Sequence, residues 1–157
     1  MGIALARMSH ADKLRNGKDR VTIMVAHYAK LYFAMLLAFL VIDAVWLGLV
    51  AREFYGKHLG QLLASNPNWW AAILFYLLFI GGVLVFVVVP ALQHDSLLRA
   101  MTYGAFFGLV TFATYDLTNL ATVKDWPLVV TAVDMAWGSA IGAMISSVGL
   151  LAGRWFS

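Results

Sequence analysis

Apolar residues fill this chain in four long blocks, at roughly 31–51, 69–90, 98–121 and 128–151, divided by short polar stretches. Each block holds about 20 or more mostly apolar residues, enough at ~1.5 Å rise per residue to cross ~30 Å of hydrocarbon. In lipid such segments must be helices, because an open sheet would leave backbone groups unpaired. The pattern predicts an all-α membrane protein, a four-transmembrane-helix bundle. The first block can start earlier, since Val21–Lys30 ("VTIMVAHYAK") is largely apolar.

The polar stretches predict the connections. In the 52–68 loop, Tyr55, Leu59, Leu62 and Leu63 recur at i, i+4, i+7 and i+8, the apolar face of a short amphipathic helix. That helix is expected on the outer interface. "SNPNWW" (Ser65–Trp70) opens the second span, with Ser65 or Asn66 as cap and Pro67 in the first turn. "KDWP" (Lys124–Pro127) opens the fourth, with Asp125 as cap.

Charge sets the orientation. One side of the bundle receives Arg7, Lys13, Arg15, Lys18, Arg20, Lys30, Arg99 and Arg154, the other Arg52, Lys57 and Lys124. That asymmetry predicts cytoplasmic N- and C-termini and a cytoplasmic 91–97 loop. Trp69, Trp70 and Trp126 then form an outer aromatic belt, with Tyr28, Tyr32, Trp155 and Phe156 at the inner one. Residues 1–30 read as a basic cytoplasmic or interfacial tail and 31–157 as the transmembrane domain. Residues 1–20 are polar and basic, with no short apolar core before a small-residue cleavage site, so a cleavable signal peptide is not expected.

Composition narrows the classes. The chain of 157 residues is 62% hydrophobic and 12% charged, with a mean hydropathy of +0.82. A soluble domain carries about twice that share of charge. There is no cysteine, which excludes disulfides, thiolate metal sites and cysteine nucleophiles. The net charge of +3 suits membrane lipids with anionic head groups rather than nucleic acid. His10, His27, His58 and His94 all fall outside the spans, so a haem held by two histidines in the bundle is not expected. No cofactor is predicted, and no phosphate loop, nucleophile elbow, zinc-helix motif or dinucleotide fingerprint is present.

Small residues mark packing faces. Gly104 and Gly108 on the third span, and Gly138 and Gly142 on the fourth, stand in G-x-x-x-G spacing, followed by Gly149 and Gly153. Such spacing lets helix backbones approach closely, within the chain or between copies. "VIDAVWLG" (Val41–Gly48) echoes "AVDMAWGS" (Ala132–Ser139), each with Asp-x-x-Trp. The two spans run oppositely, so the echo hints at a pseudo-symmetric pair.

Three carboxylates fall inside the spans: Asp43, Asp116 and Asp134. Asp43 lies ~3 Å from its helix midpoint, and Asp116 and Asp134 roughly 7–10 Å outward of theirs. Alternate helices reverse direction, so all three acids sit in the outer half of the bilayer. An ionised Asp at a helix centre costs about 2.5–3.5 kcal/mol to insert, while each Leu or Ile offsets only ~0.3–0.6. The only basic residue inside the four blocks, Arg99, lies at the opposite end. The acids must therefore carry a proton, accept hydrogen bonds or hold a cation. Trp46 and Trp137 share helix faces with Asp43 and Asp134 at i, i+3, and Asn119 does so with Asp116. Tyr115, Thr111, Thr118 and Thr131 add hydroxyls near this level. Asp43, Asp116, Asp134, Asn119, Tyr115, Trp46, Trp137 and Thr118 thus form the candidate site for a proton, cation or solute. Against this stands a purely structural role, in which buried Asp side chains hold helices together at ~0.6 kcal/mol per bond.

"FLVIDAVWLGLVAREFY", "NWWAAILFYLLF", "ATYDLTNLATVKDWPL" and "VDMAWG" together resemble an uncharacterised family of predicted four-helix bacterial membrane proteins, a domain of unknown function. The resemblance covers about residues 31–151, and the first 30 residues extend beyond the family's usual short start. It implies a bacterial inner (cytoplasmic) membrane location and a multi-pass layout, and it implies no activity or catalytic residues. Three functions fit the residues. The first is a small transporter or permeation protein, with the acids binding a proton, cation or cationic solute, as a homo-oligomer or within a larger complex. The second is a non-catalytic accessory subunit of a larger membrane complex, suggested by small size, glycine faces and a basic tail. The third is a lipid-modifying enzyme or its helper, with the acids as general acid and base at head-group depth. Intramembrane acids favour transport.

Overall fold

The computed structural model describes residues 10–156, with side chains from residue 17 onward apart from Gln61. Residues 1–9 of the basic tail, with Arg7, lie outside the described residues, as do the side chains of Lys13 and Arg15. Every regular element among the described residues is helical. Helix α1 (His10–Trp46) passes through a π-helical turn, Leu47–Ala51, into α2 (Arg52–Leu59). Helix α3 (Trp69–Val83) passes through a second π turn, Leu84–Val88, into α4 (Val89–Gln93), and α5 (Leu97–Thr122) and α6 (Leu128–Trp155) complete the chain. Four rods, Gly17–Leu59, Trp69–Gln93, Leu97–Thr122 and Leu128–Trp155, are long and apolar enough to cross a membrane.

The first rod holds 43 residues, about 65 Å of helix. That is twice the ~30 Å apolar thickness of a bilayer, so it must project beyond the hydrocarbon. The expected short helix therefore forms at Arg52–Leu59, in continuity with the first span. Gly60 ends it with a φ of +25°. Leu62 and Leu63, expected on its apolar face, lie past this break and are exposed. The second π turn leads into Pro90, which has no N–H for the i−4 carbonyl and whose ring clashes with it; a wider turn there relieves both.

The caps differ from the expected ones. Asn68 caps α3, accepting the Ala71 N–H at 3.2 Å, so neither Ser65 nor Asn66 does, and Pro67 precedes the helix. Helix α6 begins after Pro127 with no side-chain cap. Asp125 instead occupies a left-handed turn at φ 58°, three residues ahead of α6, too far back to reach its first N–H groups. Ser96 caps α5 through the Arg99 N–H at 3.2 Å.

Packing follows rows of residues four apart. Leu31, Met35 and Phe39 of α1 meet Ile80 and Val83 of α3, Val87 and Val88 of the π turn, and Ile141 and Ile145 of α6 in one core. Helices α5 and α6 form the closest pair. A Cβ on Gly108 would fall on the carbonyl oxygen of Gly138, and one on Gly104 would lie 2.5 Å from the Gly142 carbonyl oxygen. Backbones in this pair touch directly. Gly149 and Gly153 face other neighbours, Val88 with Met35 and Leu92 respectively. Tyr28 and Tyr32, expected at the belt, pack against the core, and Tyr32 donates to the Leu77 carbonyl at 3.0 Å. The opposite faces carry bare apolar side chains, such as Leu37, Leu74, Leu78, Phe86 and Phe106, as lipid-facing helices should.

At one end of the bundle the α4–α5 turn meets the end of α6: the Arg154 guanidinium donates to the Asp95 carboxylate at 2.7 Å. The Lys30 ammonium lies 5.9 Å from the Phe156 ring at the C-terminal end. The candidate acids lie toward the other end.

Candidate functional site

Each acid extends a buried row. On α1 the row Leu31, Met35, Phe39 continues to Asp43; on α5, Ala100, Gly104, Gly108 leads on to Asp116; on α6, Val130, Asp134 and Gly138 lie four apart. Helix geometry turns residues four apart to one face, so the rows that pack the bundle also point the acids inward. Asp43 is 8% exposed, Asp116 1% and Asp134 9%.

Two of the acids have phenol partners from distant elements. Tyr76 of α3 donates its hydroxyl to Asp43 Oδ2 at 2.8 Å. Tyr55 of α2 donates to Asp134 Oδ1. The Trp46 and Trp137 rings stack in parallel, with centroids 4.3 Å apart and planes 9° from one another. Thus the two Asp-x-x-Trp segments meet through their indoles, with Trp137 beside Asp43 and Trp46 beside Tyr55.

Asp116 differs. Among the described residues, neither of its carboxylate oxygens has a hydrogen-bond partner, and the buried Asn119 Nδ2 has none either. The neighbouring hydroxyls cannot serve it, because Thr111, Thr114 and Thr118 donate to backbone carbonyls four residues back, at 2.8, 2.7 and 2.6 Å. Thr118 is also exposed, so the structure does not bring it into the site. Thr131 accepts from the Trp126 indole at 3.1 Å. Asp116 and Asp134 instead share a cavity of about 300 Å³ with Phe75, Thr111, Phe112 and Tyr115. Asp43 does not line this cavity.

The three acids therefore divide into a cavity pair, Asp116 and Asp134, and a separate Asp43–Tyr76 pair. Sequence reasoning placed Tyr115 and Thr111 near the level of the acids but missed Tyr76, Phe75 and Phe112. Tyr55, which the sequence pattern places on an interfacial apolar face, turns to Asp134 instead. Nothing in the local sequence marks Tyr76 as the partner of an acid 33 positions away. Among the described residues, no three His, Cys, Asp or Glu side chains converge as a metal site would need.

Neither the curated proteins nor the solved structures yield a match. The family model of predicted membrane proteins DUF2177, a domain of unknown function, matches residues 28–151. That match takes in all three acids, both tryptophans and the α5–α6 glycines. On that match, and with four helices of membrane-spanning length, the chain belongs to the DUF2177 family of predicted membrane proteins.

Proposed function

We propose that this protein is a small transporter or permeation protein that binds a proton, cation or cationic solute at Asp116 and Asp134. One observation carries the reading. Asp116 is 1% exposed and both its oxygens lack donors among the described residues, while the residue lines a cavity together with a second carboxylate. A buried polar group without a partner costs about 1–3 kcal/mol, and more when charged. An arriving positive charge removes that penalty, which makes the site selective by sign. Asp43, held by Tyr76, lies outside this cavity. The basic bias of the N-terminal tail and of Arg99 and Arg154 supports cytoplasmic termini in a bacterial inner membrane, with the cavity then nearer the outer face.

The test is electrical recording from the full-length protein in liposomes adsorbed to a solid-supported membrane. Jumps in proton, sodium and tetraethylammonium concentration should give, for at least one of the three, transient currents that fall at least about tenfold in Asp116→Asn, the loss expected for a charge partner worth more than ~1.4 kcal/mol. Equal currents in the two proteins, or none in the wild type, would refute transport through this site.

A further inference from the structure

The cavity beside Asp116 also limits what kind of cation fits. Two of its six lining residues are carboxylates; three are aromatic, Phe75, Phe112 and Tyr115. The sixth, Thr111, has its hydroxyl proton directed at the Phe107 carbonyl. A hard metal ion needs about six oxygens around it. Besides two carboxylates, one of which, Asp134, already accepts from Tyr55, the lining offers the hydroxyl oxygens of Thr111 and Tyr115, neutral groups that supply no further charge to such an ion. No third acid, histidine or cysteine joins them among the described residues. The rings offer something else: their faces attract a cation that has few water molecules to lose, and they cover alkyl groups.

Size points the same way. About 300 Å³ stands at the lower edge of small-molecule sites, which run ~300–1,000 Å³, and far exceeds what a bare ion needs. Tyr115, 61% exposed, forms the outer edge of the cavity, in edge contact with Trp126 at 5.8 Å between ring centroids. Asp116, in contrast, is 1% exposed.

Building on the transport reading, we infer that the natural occupant is a compact organic ammonium ion, its nitrogen held by Asp116 and its alkyl groups covered by Phe75, Phe112 and Tyr115. The carboxylate supplies the charge and the rings supply the selectivity over sodium.

The probe is radiolabelled tetraethylammonium, measured by equilibrium dialysis on the gently extracted full chain, with sodium and manganese(II) as competitors. Saturable binding that resists sodium at a hundredfold excess is expected. Asp116→Asn should abolish it. Phe112→Leu, which keeps an apolar side chain but removes the ring, should weaken it roughly thirtyfold, the effect of one desolvated cation–π contact. Phe75→Leu is the second aromatic variant, should Phe112→Leu fail to fold. Phe106→Leu on the same helix, outside this cavity, should bind as the wild type does. Displacement by manganese(II) at equimolar concentration, or equal binding in the wild type and both cavity leucine variants, would overturn the ammonium assignment. Proton or sodium currents without tetraethylammonium binding would overturn it too, while leaving transport standing. Binding without any current would keep the ammonium site and remove transport.

Discussion

Replacing Gly108 by alanine tests the closest contact in the bundle. The added Cβ would fall on the Gly138 carbonyl oxygen and lie 2.8 Å from its carbonyl carbon, where real Cβ atoms stay beyond about 3 Å. Those neighbours are backbone, so no rotamer change relieves the overlap. Either α5 and α6 separate or one of them bends. Gly104 and Gly142 lie in the same seam, so a shift at Gly108 also loosens the contacts around Ser146. Overpacking in a tight interior costs typically ~1–3 kcal/mol, and a clash with rigid backbone belongs at the top of that range. Alanine's better helix propensity offsets up to ~1 kcal/mol, leaving a net loss of about 2 kcal/mol. By the scaling for chains of this size, the midpoint should fall by roughly 4–8 °C. Tryptophan fluorescence during thermal unfolding in mild detergent reads this directly. Gly56→Ala is the control, because a Cβ there meets nothing within 4 Å, and its midpoint should hold or rise. A Gly108→Ala protein as stable as the wild type would refute the direct backbone contact of α5 and α6.

Three further outcomes are expected. Tyr76→Phe removes the donor to Asp43 Oδ2 and should destabilise the fold by about 1–3 kcal/mol, the cost of stranding a buried acceptor; denaturant titration of the variant measures it, and no change would show that the bond contributes nothing. Asp116→Asn should raise the unfolding midpoint while abolishing the currents, because it replaces a buried carboxylate that has no donor by a neutral amide; a lower midpoint would mean that Asp116 holds the helices together. Arg154→Gln breaks the exposed Asp95 pair and should cost no more than ~1 kcal/mol, less at high salt, as surface ion pairs do; a larger loss in thermal unfolding would show that this bridge closes the bundle end.

Much of the bundle was written in the apolar pattern. The four spans, the polar turns between them and the glycine seam follow from block length and from G-x-x-x-G spacing. The sequence alone leaves the rotation of each helix open, and with it the aim of the acids; once the α5–α6 glycine contacts are known, the aim follows. Asp116 stands eight residues past Gly108 and Asp134 four before Gly138, so extending the glycine rows by whole steps of four points both acids into the α5–α6 side of the bundle. The partners were not legible, because they come from elsewhere in the chain. Tyr55 reaches Asp134 across 79 positions, only because a π turn carries the first rod onward as α2 instead of ending it. The caps missed for a related reason: Asn68 and Pro127 are set by where the backbone enters each helix, which polar composition alone does not fix.

The partners also separate the competing roles of the acids. A carboxylate kept for packing should be satisfied, because an unpaired one destabilises the bundle it is meant to hold. Asp43 and Asp134 meet that condition through Tyr76 and Tyr55. Asp116 does not, though four threonines lie within six residues of it and Asn119 sits one turn on with a free amide. Three of those hydroxyls bond their own helix at i−4, as does the fourth, Thr122. Packing therefore accounts for two of the three acids and gives no reason for the third. Asp116 combines that missing donor with a place on the open volume it shares with Asp134 and three aromatic rings, and the proposed positive guest would supply the partner the fold omits.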